Sequence, residues 1–168
     1  MSCLKQKLIV FSGKPGVGKS TLINYLFKND QIIDVLPFVK RYEKDGKILE
    51  SDTIHAYEDM YKYINNFNFE GNVILELGTN HPQLNIEELF NLDKKFILKI
   101  FLCIAPKDIC LERALKRGRK FDKKALIRRL NKNFPDSHLP LFENYNINYC
   151  ILDMEKSLDK IKSEVEKY

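Results

Sequence analysis

Between residues 13 and 20 the chain reads Gly-Lys-Pro-Gly-Val-Gly-Lys-Ser, with Thr21 after it. Gly13, Gly18, Lys19 and Ser20 fit G-x-x-x-x-G-K-[ST] at every fixed position, with Gly16 a further glycine inside the turn. Glycines let the backbone turn tightly with its N–H groups pointing inward, and the positive end of a following helix faces the same cavity. Together they make a nest for the phosphates of a nucleotide. Lys19 would carry a mobile cation to the outer phosphates. Ser20 offers a hydroxyl ligand to Mg²⁺, an ion that keeps most of its water and bridges phosphate oxygens. The expected binding set is therefore Gly13, Lys14, Pro15, Gly16, Val17, Gly18, Lys19, Ser20 and Thr21, of which Lys14 and Pro15 occupy variable positions that accept many residues.

Two further groups could do chemistry. Glu76 stands near the end of the apolar run Val73-Ile74-Leu75-Glu76-Leu77, where an uncompensated buried carboxylate would be costly. An Mg²⁺ water shell, an acceptor hydroxyl or a salt bridge to a lysine would each compensate it. From Arg113 to Lys132 there are ten Lys or Arg against one acid, Asp122, while the remainder carries 18 basic and 22 acidic residues. The net charge of +5 is thus concentrated in one window, which suggests a site facing anions more than a general affinity for polyanions. Arg113 and Arg117 are four apart on a predicted helix and share a face, and Arg119 follows a glycine that can hinge. Lys116, Lys120, Lys123, Lys124 and Lys132 read as a solvated helical face.

The elements that must position these groups follow from periodicity. Lys7–Ser12 is a short apolar run feeding the glycine turn, which suits a strand buried on both faces. A helix over residues 20–27 leaves the turn. Ile32–Val39 is expected to be a second strand, confined to an edge by Pro37. Ser51 and Asp52 are N-cap types for a helix in which Ile54, Tyr57, Tyr61 and Ile64 share one face. The tyrosines in that stripe read as packing. Residues 72–77 and 96–104 are expected as buried strands, with a short helix over 86–92 between them. Pro106 opens a helix to about Lys116, Asp122 caps one to about Lys132, and a Pro-containing loop reaches Asn144. Residues 147–152 and 157–168 form a last strand and helix. Strands alternating with helices imply a parallel sheet covered on both faces, with ligands beyond the carboxyl ends of its strands.

No N-K-x-D guanine-reading motif follows the glycine turn, since Asn131-Lys132-Asn133-Phe134 lacks the aspartate, and no D-x-x-G switch ends an early strand. A small GTPase is disfavoured. The arrangement resembles the small P-loop kinases, the superfamily of nucleotide, nucleoside, gluconate, shikimate and polynucleotide 5'-hydroxyl kinases. The resemblance rests on Gly13–Thr21 and on the run from Phe101 through Arg113, Arg117 and Arg119 to Arg128, Arg129 and Phe134. It implies a three-layer α/β P-loop NTPase fold with a five-stranded parallel sheet in order 2-3-1-4-5, and a short lid over about 117–140. It also implies ATP and Mg²⁺ as cofactors, with Arg113, Arg117 and Arg119 stacking on adenine and stabilising the transferring phosphate. Related kinases usually carry Asp where Glu76 stands.

A kinase acting on a hydroxyl needs a carboxylate to accept the proton, commonly just after the second strand. Asp34, Glu43, Asp45 and Asp52 are available, none in a recognisable acceptor motif, and Asp34 is the leading candidate. Arg41 would anchor an anionic acceptor, and the turn Gly78-Thr79-Asn80-His81 should face the cleft, with Asn80 and His81 as hydrogen-bonding residues.

The 168 residues, 44% apolar and 30% charged, suffice for one domain, taken as 1–168, without disulfide staples. Four cysteines without C-x-x-C spacing read as reduced core residues, and the three scattered histidines make no zinc signature. With no apolar run of membrane-spanning length and no signal-peptide pattern, a cytoplasmic protein is expected. The sequence thus points to ATP-dependent phosphate transfer to a small acceptor, with a nucleoside or nucleotide leading and a polynucleotide 5'-hydroxyl or sugar-type hydroxyl as alternatives. A single aromatic, Phe121, in the basic window gives nucleic acid little support as a partner. A nucleotide-binding regulatory module or slow NTPase is the reading from another class.

Overall fold

In a computed structural model that describes residues 4–118 and 122–168, five parallel strands form one sheet in the order β2-β3-β1-β4-β5. The central strand is β1 (Lys7–Gly13), and every residue from Leu8 to Gly13 is buried. It pairs with β3 (Val73–Leu77) on one side and β4 (Ile97–Ile104) on the other. The edges are short, β2 (Gln31–Ile33) beside β3 and β5 (Cys150–Asp153) beside β4. Ser12 is level with Leu77, and Gly13 with Cys103, so the three central strands end at one edge. That edge carries the glycine turn and the Gly78 turn side by side. The sheet and its order agree with the expectation drawn from the P-loop kinase resemblance.

Alternation along the strands divides the core into two layers. Leu8, Val10, Val73, Leu75, Ile100 and Leu102 face the layer of α2 (Leu36–Lys40), α3 (Glu50–Asn66), α4 (Pro82–Leu92) and α7 (Leu139–Asn144). Ile9, Phe11, Ile74, Phe101 and Leu152 face α1 (Lys19–Leu26), α5 (Lys107–Lys116), α6 (Lys123–Leu130) and α8 (Leu158–Lys167). Phe11 and Phe101 stack in that second layer with ring centroids 5.1 Å apart. Cys103 and Cys110 are buried free thiols and Cys150 is a half-buried one, whereas Cys3 lies outside the described residues.

Several expected elements need correction. The run Ile32–Val39 is not one strand: β2 stops at Ile33 and Leu36–Lys40 is helical. Val35, Phe38 and Val39 all pack on the first core layer, and their i, i+3, i+4 spacing serves a helix as well as a strand. Asp34 Oδ1 accepts the Leu36 N–H at 2.7 Å and Pro37 fits the first turn, which together start the helix. Asp34 therefore follows the strand instead of lying in it, and Arg41 caps a helix. α3 begins at Glu50 with Leu49 as N-cap, so Ser51 and Asp52 sit inside its first turn. The Pro-containing loop holds α7, and the last strand starts at Cys150, because Ile147 and Tyr149 pack against the first core layer before it. Asp122 does cap α6, accepting from the Lys124 N–H at 3.0 Å.

His138, 5% exposed, is buried beneath the Gly78 turn, where it meets the Phe134 ring edge-on at 4.8 Å and its Nδ1 pairs with Ser137 Oγ at 2.9 Å. Burial, aided by the charge of Lys132, pushes its pKa down to about 4. The folded value lies below the unfolded one, so between about pH 6.5 and 4 the unfolded chain binds more protons. Stability is expected to be fully present above pH 6.5, to fall by on the order of 3 kcal/mol as the pH drops to 4, and then to level off for this group. Urea titrations of the wild type and His138→Gln across that range check this, since the variant should lose this component of the slope. An identical slope in both would refute it.

Candidate active site

The glycine turn is shaped by what it presses against. A Cβ on Gly13 would lie 2.6 Å from the Cys103 carbonyl oxygen, and one on Gly16 would lie 2.1 Å from that of Cys110. Gly16 also has φ +76°, a left-handed conformation that side chains disfavour. The turn is thereby wedged between the end of β4 and the first turns of α5. Gly18 caps α1 without a side-chain hydrogen bond, and no acid occupies the helix's first turn. The helix thus presents bare N–H groups and its positive end to the cavity.

Lys19 is 8% exposed and bends back over the turn, where Nζ donates to the carbonyls of Gly13 at 2.7 Å and Lys14 at 3.2 Å. Burial lowers its pKa, and the charge of Glu76 opposes that shift. Ser20 Oγ donates to Glu76 Oε1 at 2.6 Å. The hydroxyl and the carboxylate, read separately from sequence as metal-binding groups, therefore meet across α1 and β3. One hydroxyl and one carboxylate, beside a nest for phosphates, suit Mg²⁺, which takes one or two carboxylates and keeps its other places for water and phosphate. Among the described residues no cluster of three or more His, Cys, Asp or Glu forms a self-sufficient metal site.

Beside the turn lies a pocket of about 380 Å³, lined by Gly18, Thr21, Arg113, Arg117 and, from the loop after β5 and the start of α8, Met154, Lys156 and Leu158. Its size lies within the range of small-molecule sites. Arg113 donates from its two terminal nitrogens to the carbonyls of Val17 and Met154, both at 3.0 Å. It ties the two walls of the pocket together, a structural duty that the expectation of adenine stacking did not foresee. Arg117 ends α5 as an exposed cap residue on the pocket rim, and its charge acts on Lys19. Arg119 lies outside the described residues. Pro15 is half-buried and Val17 is buried against Gly13. Lys14 turns its ammonium away from the cradle, donating to the Leu130 carbonyl at 2.9 Å.

On the other side of the turn the Gly78–His81 segment forms a polar wall. Ser12 Oγ donates to the Gly78 carbonyl at 3.0 Å. The Asn80 side-chain oxygen accepts from Lys132 Nζ. His81 takes a left-handed conformation, φ 49°, at the start of α4, and its ring meets that of Tyr57 edge-on at 5.4 Å. Burial lowers the His81 pKa against the charge of Glu50, and burial raises the Tyr57 phenol to about 12 against the charge of Arg129. Arg41 is exposed, its guanidinium 4.7 Å from the centre of the Phe38 ring. Asp34 uses Oδ1 to start α2, as described, which leaves Oδ2 for another partner.

Sequence reasoning missed Asn85. It is buried in α4, donates Nδ2 to the carbonyls of Asn80 at 2.8 Å and His81 at 3.0 Å, and accepts from the buried Tyr61 hydroxyl at 2.6 Å. This network holds the polar wall in its strained shape. The signal was present, because Asn85, Leu89 and Leu92 share the buried helical face and a lone polar residue there demands partners.

Two of three comparisons with known proteins find matches. A family model described as 50S ribosome-binding GTPase matches residues 8–66, about a third of the chain, which hold β1, the glycine turn and the elements through α3. A comparison with curated proteins finds no match. Solved structures match nearly end to end. Shikimate kinase from Acinetobacter baumannii in complex with shikimate is 16% identical with a TM-score of 0.60, covering 96% of this chain and 90% of that one. Deoxyadenosine kinase from M. mycoides with bound dATP is 18% identical with a TM-score of 0.62, covering 96% and 98%. This chain has the P-loop NTPase fold that these kinases share. A gluconokinase from Sinorhizobium meliloti 1021, at 12% identity and a TM-score of 0.61, shares it over 95% of this chain and 89% of its own. The P-loop is therefore Gly13–Ser20 in this fold, and a nucleotide is the ligand it suggests.

Replacing Asn85 by Ala leaves one hydroxyl and two carbonyls without their partner and is expected to lower the unfolding free energy by about 3 kcal/mol, whereas Tyr61→Phe costs about 1–2 kcal/mol. Urea unfolding measures both, and values near zero would show that the network does not hold this wall.

Proposed function

We propose that the protein is an ATP-dependent kinase that transfers the terminal phosphate to a small acceptor, with a nucleoside or nucleotide as the leading class and a polynucleotide 5'-hydroxyl or sugar-type hydroxyl as alternatives. The observation that carries this reading is the position of the P-loop between a base-sized pocket and a polar wall. A nucleotide laid along that edge has its base beside Arg117 and Met154 and its outer phosphates over Lys19. The wall of Asn80 and His81 then stands where an acceptor must approach. Kinases acting on several kinds of acceptor share the fold, which supports the reaction class and leaves the acceptor to experiment.

On this reading Lys19 leaves the carbonyls of Gly13 and Lys14 and follows the outer phosphates, while Arg117 adds positive charge from the rim. Positioning and electrostatic stabilisation supply most of the catalysis of phosphoryl transfer. Ser20 and Glu76 would hold Mg²⁺, whose charge neutralises the phosphate oxygens when bound. Asp34 Oδ2 is the proposed acceptor of the hydroxyl proton, and Asn80 hydrogen-bonds the acceptor. The residues expected to form a lid lie partly in α6, whose Leu126 and Leu130 are packed in the second core layer. Closure by that region belongs to this proposal.

The match of residues 8–66 to a GTPase model favours a second reading, a regulatory module or slow NTPase. The test separates the two. Release of the nucleoside diphosphate, ADP from ATP or GDP from GTP, is measured with ATP or GTP alone and with nucleosides, nucleotides, gluconate, shikimate and 5'-hydroxyl oligonucleotides. The kinase reading expects at least one acceptor to raise turnover about 100-fold or more above the rate with water alone. Lys19→Ala should lower that rate by at least about 1000-fold while the protein keeps its fold. Tight nucleotide binding with no stimulation by any acceptor would favour the regulatory reading.

A further inference from the structure

The C-terminal end of α6 is held from three directions. Leu130 is 1% exposed, and its carbonyl accepts from Lys14 Nζ at 2.9 Å. The side-chain oxygen of Asn131 accepts from Lys107 Nζ, at the first residue of α5. Lys132 reaches in the other direction and donates to Asn80 on the polar wall. Three consecutive residues are thus bonded to the P-loop, to α5 and to the turn after β3.

The contact made by Lys14 joins two functions in one residue. The last carbonyls of a helix lack intrahelical partners, and a cation at that end is favoured by the helix dipole. Lys14 supplies both the donor and the charge. Its own carbonyl accepts from Lys19 Nζ at 3.2 Å and from the Val17 N–H at 3.3 Å, so its main chain shapes the cradle while its side chain holds the helix. α6 carries Arg128 and Arg129 in its last turn, with Lys132 just beyond. Arg129, whose charge acts on Tyr57 beside His81, and Lys132, bonded to Asn80, thus stand at the acceptor wall on a helix whose end is bonded to the P-loop.

We propose that Lys14 is a positioning residue that couples the phosphate cradle to α6. Its side chain is a tether to Leu130, and through it a nucleotide in the P-loop fixes where Arg129 and Lys132 stand against Asn80 and His81. The part of this inference that concerns nucleotide rests on the binding reading above. The tether itself is the hydrogen bond from Lys14 Nζ to the Leu130 carbonyl.

Hydrogen exchange of peptides covering residues 123–132 tests it, measured without nucleotide and with ATP and Mg²⁺, beside ATP affinity from calorimetry. Lys14→Met keeps the aliphatic stem and removes the donor, and Lys14→Arg restores a donor. The tether predicts exchange in α6 at least about tenfold faster in the Met variant, with near wild-type rates in the Arg variant. It also predicts that saturating ATP slows exchange in α6 of the wild type and Arg variant and no longer does so in the Met variant. A merely structural lysine would raise exchange in both states and leave the ATP-induced protection intact, which would overturn the coupling. Unchanged exchange with an affinity loss of about tenfold or more would overturn the tether and make Lys14 a phosphate ligand. Should Lys14→Met not fold, Lys14→Leu, which likewise lacks a donor, is measured in its place against the same outcomes. Failure of the binding reading is visible separately, as absence of ATP binding by the wild type, and leaves the exchange comparison without nucleotide in force.

Discussion

Backbone meeting backbone at the end of the sheet is the constraint on which the site rests. Gly13 abuts the carbonyl of Cys103 and Gly16 that of Cys110, each with no room for a side-chain carbon. These contacts fix the P-loop to β4 and α5 at once, so the cradle is set by packed main chain. Buried strands make this possible, since β1 and the middle of β4 are covered on both faces and cannot shift without disturbing both core layers. What surrounds the cradle is assembled from polar ties of the same character: Arg113 between Val17 and Met154, Asn85 beneath Asn80 and His81, and Ser12 under Gly78.

The parts legible in the sequence were those written in one local pattern. Gly13–Ser20 fixed the cradle, its strand and its helix, because the residue types admit few other uses at that spacing. The apolar runs ending at Leu77 and Ile104 were long enough to declare buried strands. Ser20 and Glu76 were each legible as polar groups near the strand ends, but their 2.6 Å contact depends on β1 pairing with β3. No local pattern states that pairing.

The rest failed for identifiable reasons. Val35-Leu36-Pro37-Phe38-Val39 is apolar enough for a strand, and a helix prevailed because Asp34 and Pro37 set its first turn. Arg113 was legible as a cation on the face of a helix, whereas its partners are two carbonyls 96 and 41 residues away in the chain. Sequence spacing does not encode such bonds to main chain, and the same holds for Lys14 and Leu130. Arg41 was placed by its order after the second strand, and the intervening helix carried it to an exposed position on Phe38. In each case residue type was informative and location was decided by contacts distant in the chain.

The bond between Ser20 and Glu76 also bears on the order in which partners arrive. A bare divalent ion entering there would first have to separate a hydroxyl and a carboxylate that already satisfy one another, with a single acid to reward it. An ion delivered already attached to a triphosphate brings its own oxygens and needs little from the protein. On the proposed reading, the one short contact between α1 and β3 would favour an ion that arrives as part of a preformed complex over a free cation.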